Sequence, residues 1–296
     1  MIGARFIHYV ALIFLSGSVA YANFGSGDAA LRRRFRRWTF ASGLLVFMGA
    51  AAVLAATVAN LGGGYPALSD GSLWSAVIVE TDFGKVWTGR LILAVASVAV
   101  SLAGLRGWLP ESPVRAINVV LCIALVGTVA WTGHATMEVG GVGLLHRFAD
   151  ALHLLAAVAW LGALLPLLWL LNREDSAASS LCLSRFHNIG LVAVLFLVGS
   201  GIVNSINLVT GITALITTPY GQLLSLKLVL FAGMVGFACY NRFASAPALA
   251  RAVETAADPA EAVGKLRLAI KAELALGIVV IAIVSVLGSI EPATSG

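Results

Sequence analysis

Eight long apolar segments limit what this chain can fold into. Each reaches the roughly 20 residues that a helix needs to cross the hydrocarbon core of a bilayer. The chain is 59% hydrophobic and 11% charged, whereas soluble domains carry about 25% charged residues. Because backbone polar groups find no partner in lipid, we predict an all-α, polytopic membrane helical bundle. The predicted transmembrane spans are residues 4–23, 38–60, 86–107, 114–133, 144–171, 186–209, 221–244 and 265–289.

The beginning of the chain allows a second interpretation. Ala20 and Ala22 form an A-x-A pattern, which is typical of a signal-peptide cleavage site. The basic run RRRFRR at residues 32–37 follows shortly afterwards, and such a cluster resists translocation. We therefore expect an uncleaved first helix.

The distribution of basic residues predicts the orientation of the bundle. With the N-terminus outside, the inner loops and adjacent helix ends hold fourteen of the nineteen Lys and Arg residues. Cytoplasmic loops carry such an excess, so we predict that both termini lie outside. The net charge of +5 is thus concentrated between spans and does not indicate nucleic-acid binding. The basic residues of the outer half are Arg5, Lys85, Arg90, Arg147 and Lys227.

Two connecting segments are long enough to interpret. In residues 61–85 a Gly/Pro turn precedes a stretch in which Trp74, Val77 and Ile78 share one helical face. This pattern predicts a short amphipathic helix at the level of the lipid headgroups. Residues 245–264 hold two prolines and mixed charges, and we expect a solvated connector.

The chain has no nucleotide-binding motif, and its three cysteines lack CxxC spacing, which indicates no disulfide framework and no thiolate cluster.

The chemistry-bearing residues gather around the start of the fifth span. Residues 133–160 hold three of the five histidines. His146, Asp150 and His153 are spaced i, i+4 and i+7, so they share one face of the helix. Ionisable side chains at such depth usually face the bundle interior and mark a pathway, although polar residues of the headgroup zone offer a simpler explanation for His146.

Further polar residues are expected at the same level. His134 ends the fourth span, and His8 lies four residues into the first one. Met137 and Glu138 lie in the loop that leads to the fifth span. We call His8, His134, His146, Asp150 and His153 the outer histidine cluster.

The ligand types suggest a transition metal. Imidazole and carboxylate groups accept copper, zinc, nickel or iron, and the affinity order favours Cu(II). The chain has only four methionines, too few for the methionine ladders of a dedicated Cu(I) pathway. His146 and His153 are about 10 Å apart along the helix axis. They cannot bind one ion together, but each can share an ion with Asp150 or with a histidine of another helix.

Other ionisable groups inside the spans need partners. Lys227 lies at a depth similar to that of Asp150, and a structural ion pair between them is the alternative to a metal site. Arg90 is expected to extend outward to the interface. Glu273 belongs to an inner polar group that is either an exit vestibule or a solvated network at helix ends. We expect Asn204 to form an interhelical hydrogen bond.

The later spans carry a family resemblance. The strings GHA at 133–135, LHRFADALHLLAAVAWLGALLPLL at 145–168, YGQLLSLKLVLFAGMVGFACYNR at 220–242 and KLRLAIKAELALGIVVIAIVSVLGSIEP at 265–292 resemble the copper-resistance protein D family (CopD/PcoD). The resemblance covers most of the chain and is most specific over 134–292. It implies a single integral-membrane domain over residues 1–296.

The resemblance also implies a function. Members of the family are inner-membrane proteins of bacterial copper handling, and they are generally proposed to move copper from periplasm to cytoplasm. The resemblance extends to His134, His146, Asp150, His153 and Trp160. It also implies a periplasmic copper-binding partner of the CopC type, which would be a separate chain here. We therefore expect a copper permease rather than an enzyme, driven by an ion or potential gradient.

Two other functions remain open at this stage. In a haem-binding membrane cytochrome, His153 and either His134 or His8 would be the axial ligands from separate helices. Such a protein would show a Soret band when purified. In a structural or sensory membrane subunit, the polar residues would only hold helices together, and a metal titration separates this function from transport.

Overall fold

Among the described residues, eight helices are long and apolar enough to cross a membrane, and they match the eight predicted spans. The computed structural model describes residues 1–24, 29–132, 140–173, 176–208 and 213–290, and this part of the chain contains no strand. The prediction of an all-α, multi-pass bundle is confirmed. The spanning helices are α1 (Ile2–Phe24), α2 (Ala29–Leu61), α4 (Asp82–Arg106), α5 (Glu111–Ala130), α6 (Gly140–Leu171), α7 (Ser176–Leu208), α9 (Pro219–Tyr240) and α11 (Ala260–Leu287). The shorter helices are α3 (Gly71–Ser75), α8 (Ala214–Thr217) and α10 (Ala246–Glu254).

The spanning helices alternate in direction along the chain. Helices α1, α4, α6 and α9 begin at one end of the bundle, which we call the outer end, and the other four begin at the inner end. The placement of the outer end outside the cell stays a prediction from the basic residues.

Helix α1 is the central element of the bundle. It packs against α2, α5, α6 and α11 and so joins the first half of the chain to the second. Gly17 of α1 and Gly162 of α6 make this packing close, because a Cβ on Gly17 would lie 2.2 Å from the carbonyl oxygen of Gly162. Small residues at helix crossings let membrane helices approach in this way. The inner half of α6 is thereby held against α1.

The short helix predicted within residues 61–85 is present. Asp70 caps α3 by accepting hydrogen bonds from the backbone N–H groups of Ser72 and Leu73. Hydrogen bonds from the Ser72 hydroxyl and from these two N–H groups hold the pKa of Asp70 below its ordinary value. A π turn, Ala76–Glu80, continues the helix.

The apolar face of this short helix packs onto the bundle. Val77 is 3% exposed, and with the partly buried Trp74 and Ile78 it joins the cluster formed by α2 and α4 around Val58 and Trp87. This face covers the outer ends of the two helices, and the level of the short helix in the bilayer stays a prediction. Burial of the apolar face against the bundle stabilises the short helix, as burial at the membrane interface would.

The prediction of a solvated connector over 245–264 is wrong for its first half. A π turn, Asn241–Ser245, leads from α9 directly into α10. Pro247 falls in the first turn of α10, directly after this π turn. Leu249 is fully buried in the same apolar cluster as Leu266 of α11. The two helices are joined by residues 255–259 alone.

Candidate functional site

Asp150 lies in the outer half of α6 among polar groups of other helices. The side-chain amide of Asn204 in α7 donates a hydrogen bond to Oδ1 of Asp150, with a donor–acceptor distance of 3.2 Å, so the interhelical hydrogen bond expected of Asn204 is confirmed. Tyr9 of α1 and Tyr220 and Lys227 of α9 lie within electrostatic range of the same carboxylate. Four helices thus converge on one acidic group in the predicted span region.

His153 follows Asp150 by about one turn on the same helix. Its Nδ1 lies 3.0 Å from Oγ of Ser200 in α7. The hydroxyl of Ser200 donates a hydrogen bond to the carbonyl oxygen of Phe196 in the preceding turn. Gly201 lies beside the ring, where an added Cβ would be 3.6 Å from Cε1 of His153. Helix α7 therefore positions the imidazole through one side chain and one small residue.

The Ser200 contact favours one tautomer of the His153 ring. A serine hydroxyl has one proton, and where Ser200 donates it to Phe196, Nδ1 of His153 is the donor to Oγ of Ser200. The backbone of Leu197 is a further hydrogen-bond partner of the ring. In a neutral imidazole the other nitrogen, Nε2, then carries the lone pair, which is the form that binds a metal. This tautomer follows from the hydrogen-bond network rather than from hydrogen positions.

Lys227 lies on the face of α9 that is turned toward the bundle. Tyr220, Leu224 and Met234 on this face are buried, and Phe231 contacts Trp160 of α6 edge to face with ring centroids 5.9 Å apart. Besides Asp150, Lys227 lies within electrostatic range of His153. Among the described residues no direct ion pair joins Lys227 to Asp150, so of the ion-pair alternative the structure shows an electrostatic influence alone.

His146 begins the polar face of α6 and is 4% exposed. It lies one turn toward the outer end from Asp150, in agreement with the i, i+4 spacing. The structure places the ring inside the protein, and its role stays a prediction.

His8 packs on a different side of α1. It is 1% exposed, its ring centroid lies 6.2 Å from that of Trp87 in α4, and its backbone touches Gly49 of α2, where a Cβ would lie 2.9 Å from Cα of His8. The neighbouring Tyr9 is within electrostatic range of both Arg90 and Asp150. His8 therefore belongs to the α2–α4 side of the bundle.

A complete metal centre is not visible in the described part of the chain. No three His, Cys, Asp or Glu side chains converge there in a way that holds one ion. His134, Met137 and Glu138 lie outside the described residues, so the outer histidine cluster as a whole stays a prediction. What the structure brings together is Asp150 and His153, with Ser200, Asn204 and Lys227 around them.

Arg90 is buried, so the prediction that it extends outward is wrong. Its side chain is enclosed at 1% exposure and stacks over Trp87, with Cζ 3.9 Å from the ring centroid. It donates hydrogen bonds to Oγ1 and the carbonyl oxygen of Thr128 and to Oγ1 of Thr132, at 2.9, 2.7 and 3.1 Å. Thr128 and Thr132, four residues apart at the end of α5, give the guanidinium polar partners inside the bundle. An Arg90 side chain that extended to the interface would lose these hydrogen bonds.

The inner polar group centres on Glu273. This carboxylate of α11 is 1% exposed and accepts a hydrogen bond from the side-chain amide of Asn241. The indole of Trp160, 4% exposed, lies within hydrogen-bonding reach of the same group. The alternative of a solvated helix-end network is therefore wrong for Glu273, which connects α6, α9 and α11 in the interior.

Sequence reasoning missed two parts of this arrangement. Nothing in the sequence marks Ser200 as the partner of His153, because the pairing depends on the register of α6 against α7. Tyr9 and Tyr220 were also missed. A tyrosine near the outer end of an apolar helix indicates a polar partner nearby, because a buried hydroxyl usually has a hydrogen-bond partner.

Similarity to known proteins extends along the whole chain. Residues 1–144 match the family model described as Copper resistance protein D-like, N-terminal domain, and residues 180–287 match the model described as Copper resistance protein D. Over 300 residues the chain is 32% identical to the inner membrane protein YebZ of Escherichia coli (strain K12), and the alignment covers 98% of each protein. The chain belongs to the copper-resistance protein D family.

Two further relatives of this copper-resistance protein D family member have copper in their names. It is 33% identical over 223 residues to copper resistance protein D of Pseudomonas syringae pv. tomato, covering 73% of the present chain and 71% of the relative. It is 29% identical over 243 residues to the copper transport protein CutJ of Bacillus subtilis (strain 168), covering 78% of the present chain and 44% of the relative. No solved structure matches the chain. The predicted family is confirmed, and with it a role in copper handling.

Proposed function

We propose that this protein is a permease that moves copper ions across the bacterial inner membrane, from the periplasm to the cytoplasm. Asp150 and His153 form the first intramembrane binding site. The single observation that carries this proposal is the hydrogen-bond chain from His153 through Ser200 to the carbonyl of Phe196. In the neutral tautomer with Nδ1 as the donor, Nε2 is the nitrogen that binds a metal ion.

The surroundings of the site support binding of a cation. Metal-binding histidines usually donate their second N–H to a neighbouring oxygen, which fixes the ring and raises its basicity, and Ser200 provides that oxygen. Asn204 orients the Asp150 carboxylate in the same way. A carboxylate in low dielectric offsets much of the energy needed to bring a cation out of water.

The remaining predicted residues extend the route in both directions. His146 is one turn toward the outer end, and in the proposal it receives copper with His134, Met137 and Glu138. His8 is assigned to the α2–α4 side and takes no part in this first transfer. Trp160 lies further in on α6, and the buried Glu273 carboxylate of α11 lies within hydrogen-bonding reach of its indole.

The names of the relatives agree with this role. CutJ is named a copper transport protein and YebZ an inner membrane protein, and an inner-membrane location suits eight apolar spans. A separate periplasmic copper-binding protein of the CopC type would deliver the ion. The protein acts as a transporter and not as an enzyme in this proposal.

Copper uptake into proteoliposomes tests the proposal. Vesicles containing the wild-type protein should accumulate copper faster than protein-free vesicles, and His153→Ala should reduce uptake to the protein-free rate. His187→Ala, at the predicted inner side of α7, is the matched control and should keep wild-type uptake. Wild-type vesicles that accumulate no copper would contradict the proposal, and a Soret band in the purified protein would favour the haem alternative.

A further inference from the structure

We infer that Lys227 sets the charge of the ion that the Asp150–His153 site accepts, and that it selects a monovalent soft cation, Cu(I) or Ag(I), over divalent metal ions. This inference rests on the proposed function, because it concerns the selectivity of the same site. It differs from the expectation drawn from ligand types alone, which favours Cu(II).

The side chain of Lys227 is directed toward the site by the packing of α9. Tyr220, Leu224 and Met234 are buried, and they fall at i, i+4 and i+14. Lys227, at i+7, therefore shares the bundle-facing side of the helix. The contact between Phe231 and Trp160 shows that this side meets α6.

The same contact fixes the depth of Lys227 relative to the site. Helices α6 and α9 both begin at the outer end. At 1.5 Å per residue, Lys227 is about 6 Å outward from Phe231, and His153 is about 10 Å outward from Trp160. Helical side chains lean toward the N-terminus of their own helix, so the long lysine stem carries its ammonium group outward to the level of His153. The electrostatic influence of Lys227 on His153 and Asp150 agrees with this placement.

The groups closest to the site sum to zero charge. Asp150 contributes one negative charge and Lys227 one positive charge, and His153 is counted as the neutral imidazole, the form that binds a metal. Tyr9 and Tyr220 are uncharged phenols. Two further cations lie in this region. Arg90 is engaged by Thr128 and Thr132 between α4 and α5, and Arg147 precedes Asp150 by three residues on α6.

A site with zero net charge discriminates between ions by their charge. A monovalent ion leaves the site with a charge of +1, and a divalent ion leaves it with +2. The energy needed to hold a net charge in low dielectric grows with its square, so the divalent ion is opposed about four times as strongly. Removing the lysine charge gives the empty site a charge of −1, which a divalent ion would convert to +1.

Selectivity measurements on proteoliposomes test the inference. Uptake of Ag(I), a redox-stable substitute for Cu(I), is compared with uptake of Zn(II) in wild-type, Lys227→Gln and Lys227→Arg vesicles. The wild type should prefer Ag(I). Lys227→Gln should lower the Ag(I)-to-Zn(II) uptake ratio by about tenfold or more, while Lys227→Arg, which keeps the charge, should preserve the ratio. A merely structural role of Lys227 would change both uptake rates together and leave their ratio unchanged.

A second variant covers the possibility that Lys227→Gln does not fold. Ser200→Asp reaches the same net charge and keeps the lysine, so it should shift selectivity toward Zn(II) in uptake and in binding to the purified protein. An unchanged ratio in every variant that folds, with wild-type copper uptake intact, would overturn this inference alone. Wild-type vesicles that take up neither copper nor silver would contradict the proposed function instead.

Discussion

Gly17 of α1 and Gly162 of α6 meet backbone to backbone at the centre of the bundle, with a Cβ on either glycine lying under 3 Å from the other helix. Both glycines lie in the inner halves of their helices. Nearer the outer end of the same two helices, Tyr9 and Asp150 are within electrostatic range of each other.

The first prediction concerns this crossing. Gly162→Ala should lower the free energy of unfolding by about 1–3 kcal/mol, because the new Cβ forces two packed helices apart. Gly199→Ala on α7 is the matched control, since nothing lies within 4 Å of its added Cβ, and it should be neutral or stabilising. Thermal unfolding in detergent measures both, and equal midpoints would show that the close approach is not required.

The second prediction concerns the hydrogen bond that fixes the His153 tautomer. Ser200→Ala should weaken equilibrium copper binding to the purified protein by about tenfold or more, the usual effect of removing such a supporting partner. Ser205→Ala removes a hydroxyl that bonds the carbonyl of Gly201 one turn earlier, and it should bind copper like the wild type. The assignment of Nε2 as a ligand fails if the two variants bind copper equally well.

The third prediction concerns the buried Arg90. Arg90→Lys should lower stability by about 2 kcal/mol or more, because an ammonium cannot reproduce the guanidinium's hydrogen bonds to Thr128 and Thr132 together with its stacking on Trp87. Lys85→Arg, at an exposed ion pair with Asp82, should change stability by less than about 0.5 kcal/mol. Chemical unfolding followed by tryptophan fluorescence distinguishes the outcomes. If Arg90→Lys proves as stable as the wild type, any cation can replace Arg90 and the guanidinium geometry is not required.

The fourth prediction concerns topology. A periplasm-active reporter fused after Gly296 should be active, and one that works only in the cytoplasm should be silent, because fourteen of the nineteen Lys and Arg residues fall on the predicted inner side. Fusions after Leu171, at the inner end of α6, should give the opposite pattern. The reverse result at both positions would show that the bundle has the opposite orientation in the membrane.

Hydropathy and the helical period predict most of the fold, since each span must bury its own backbone hydrogen bonds in lipid whatever its neighbours are. The spacing of His146, Asp150 and His153 likewise follows from one helix alone. The pairing of His153 with Ser200 and of Arg90 with Thr128 depends on how two helices are rotated and shifted against each other, and one sequence does not encode that in any local pattern. The same reason explains α10, whose helical state depends on burying Leu249 against α11.

The central claim is that Asp150 binds copper and is not only the counter-charge of Lys227. Asp150→Asn alone should abolish copper uptake and also destabilise the protein, since it leaves a buried lysine charge without its counter-charge, an effect of several kcal/mol. Combining Asp150→Asn with Lys227→Met removes both charges and should restore stability.

Copper uptake by proteoliposomes of this double variant, alongside its unfolding midpoint, is the most direct measurement. We predict a midpoint close to that of the wild type with no copper uptake, because the carboxylate that receives the ion is still absent. Restored stability together with restored uptake would contradict the central claim, and would show that Asp150 is only the structural partner of Lys227.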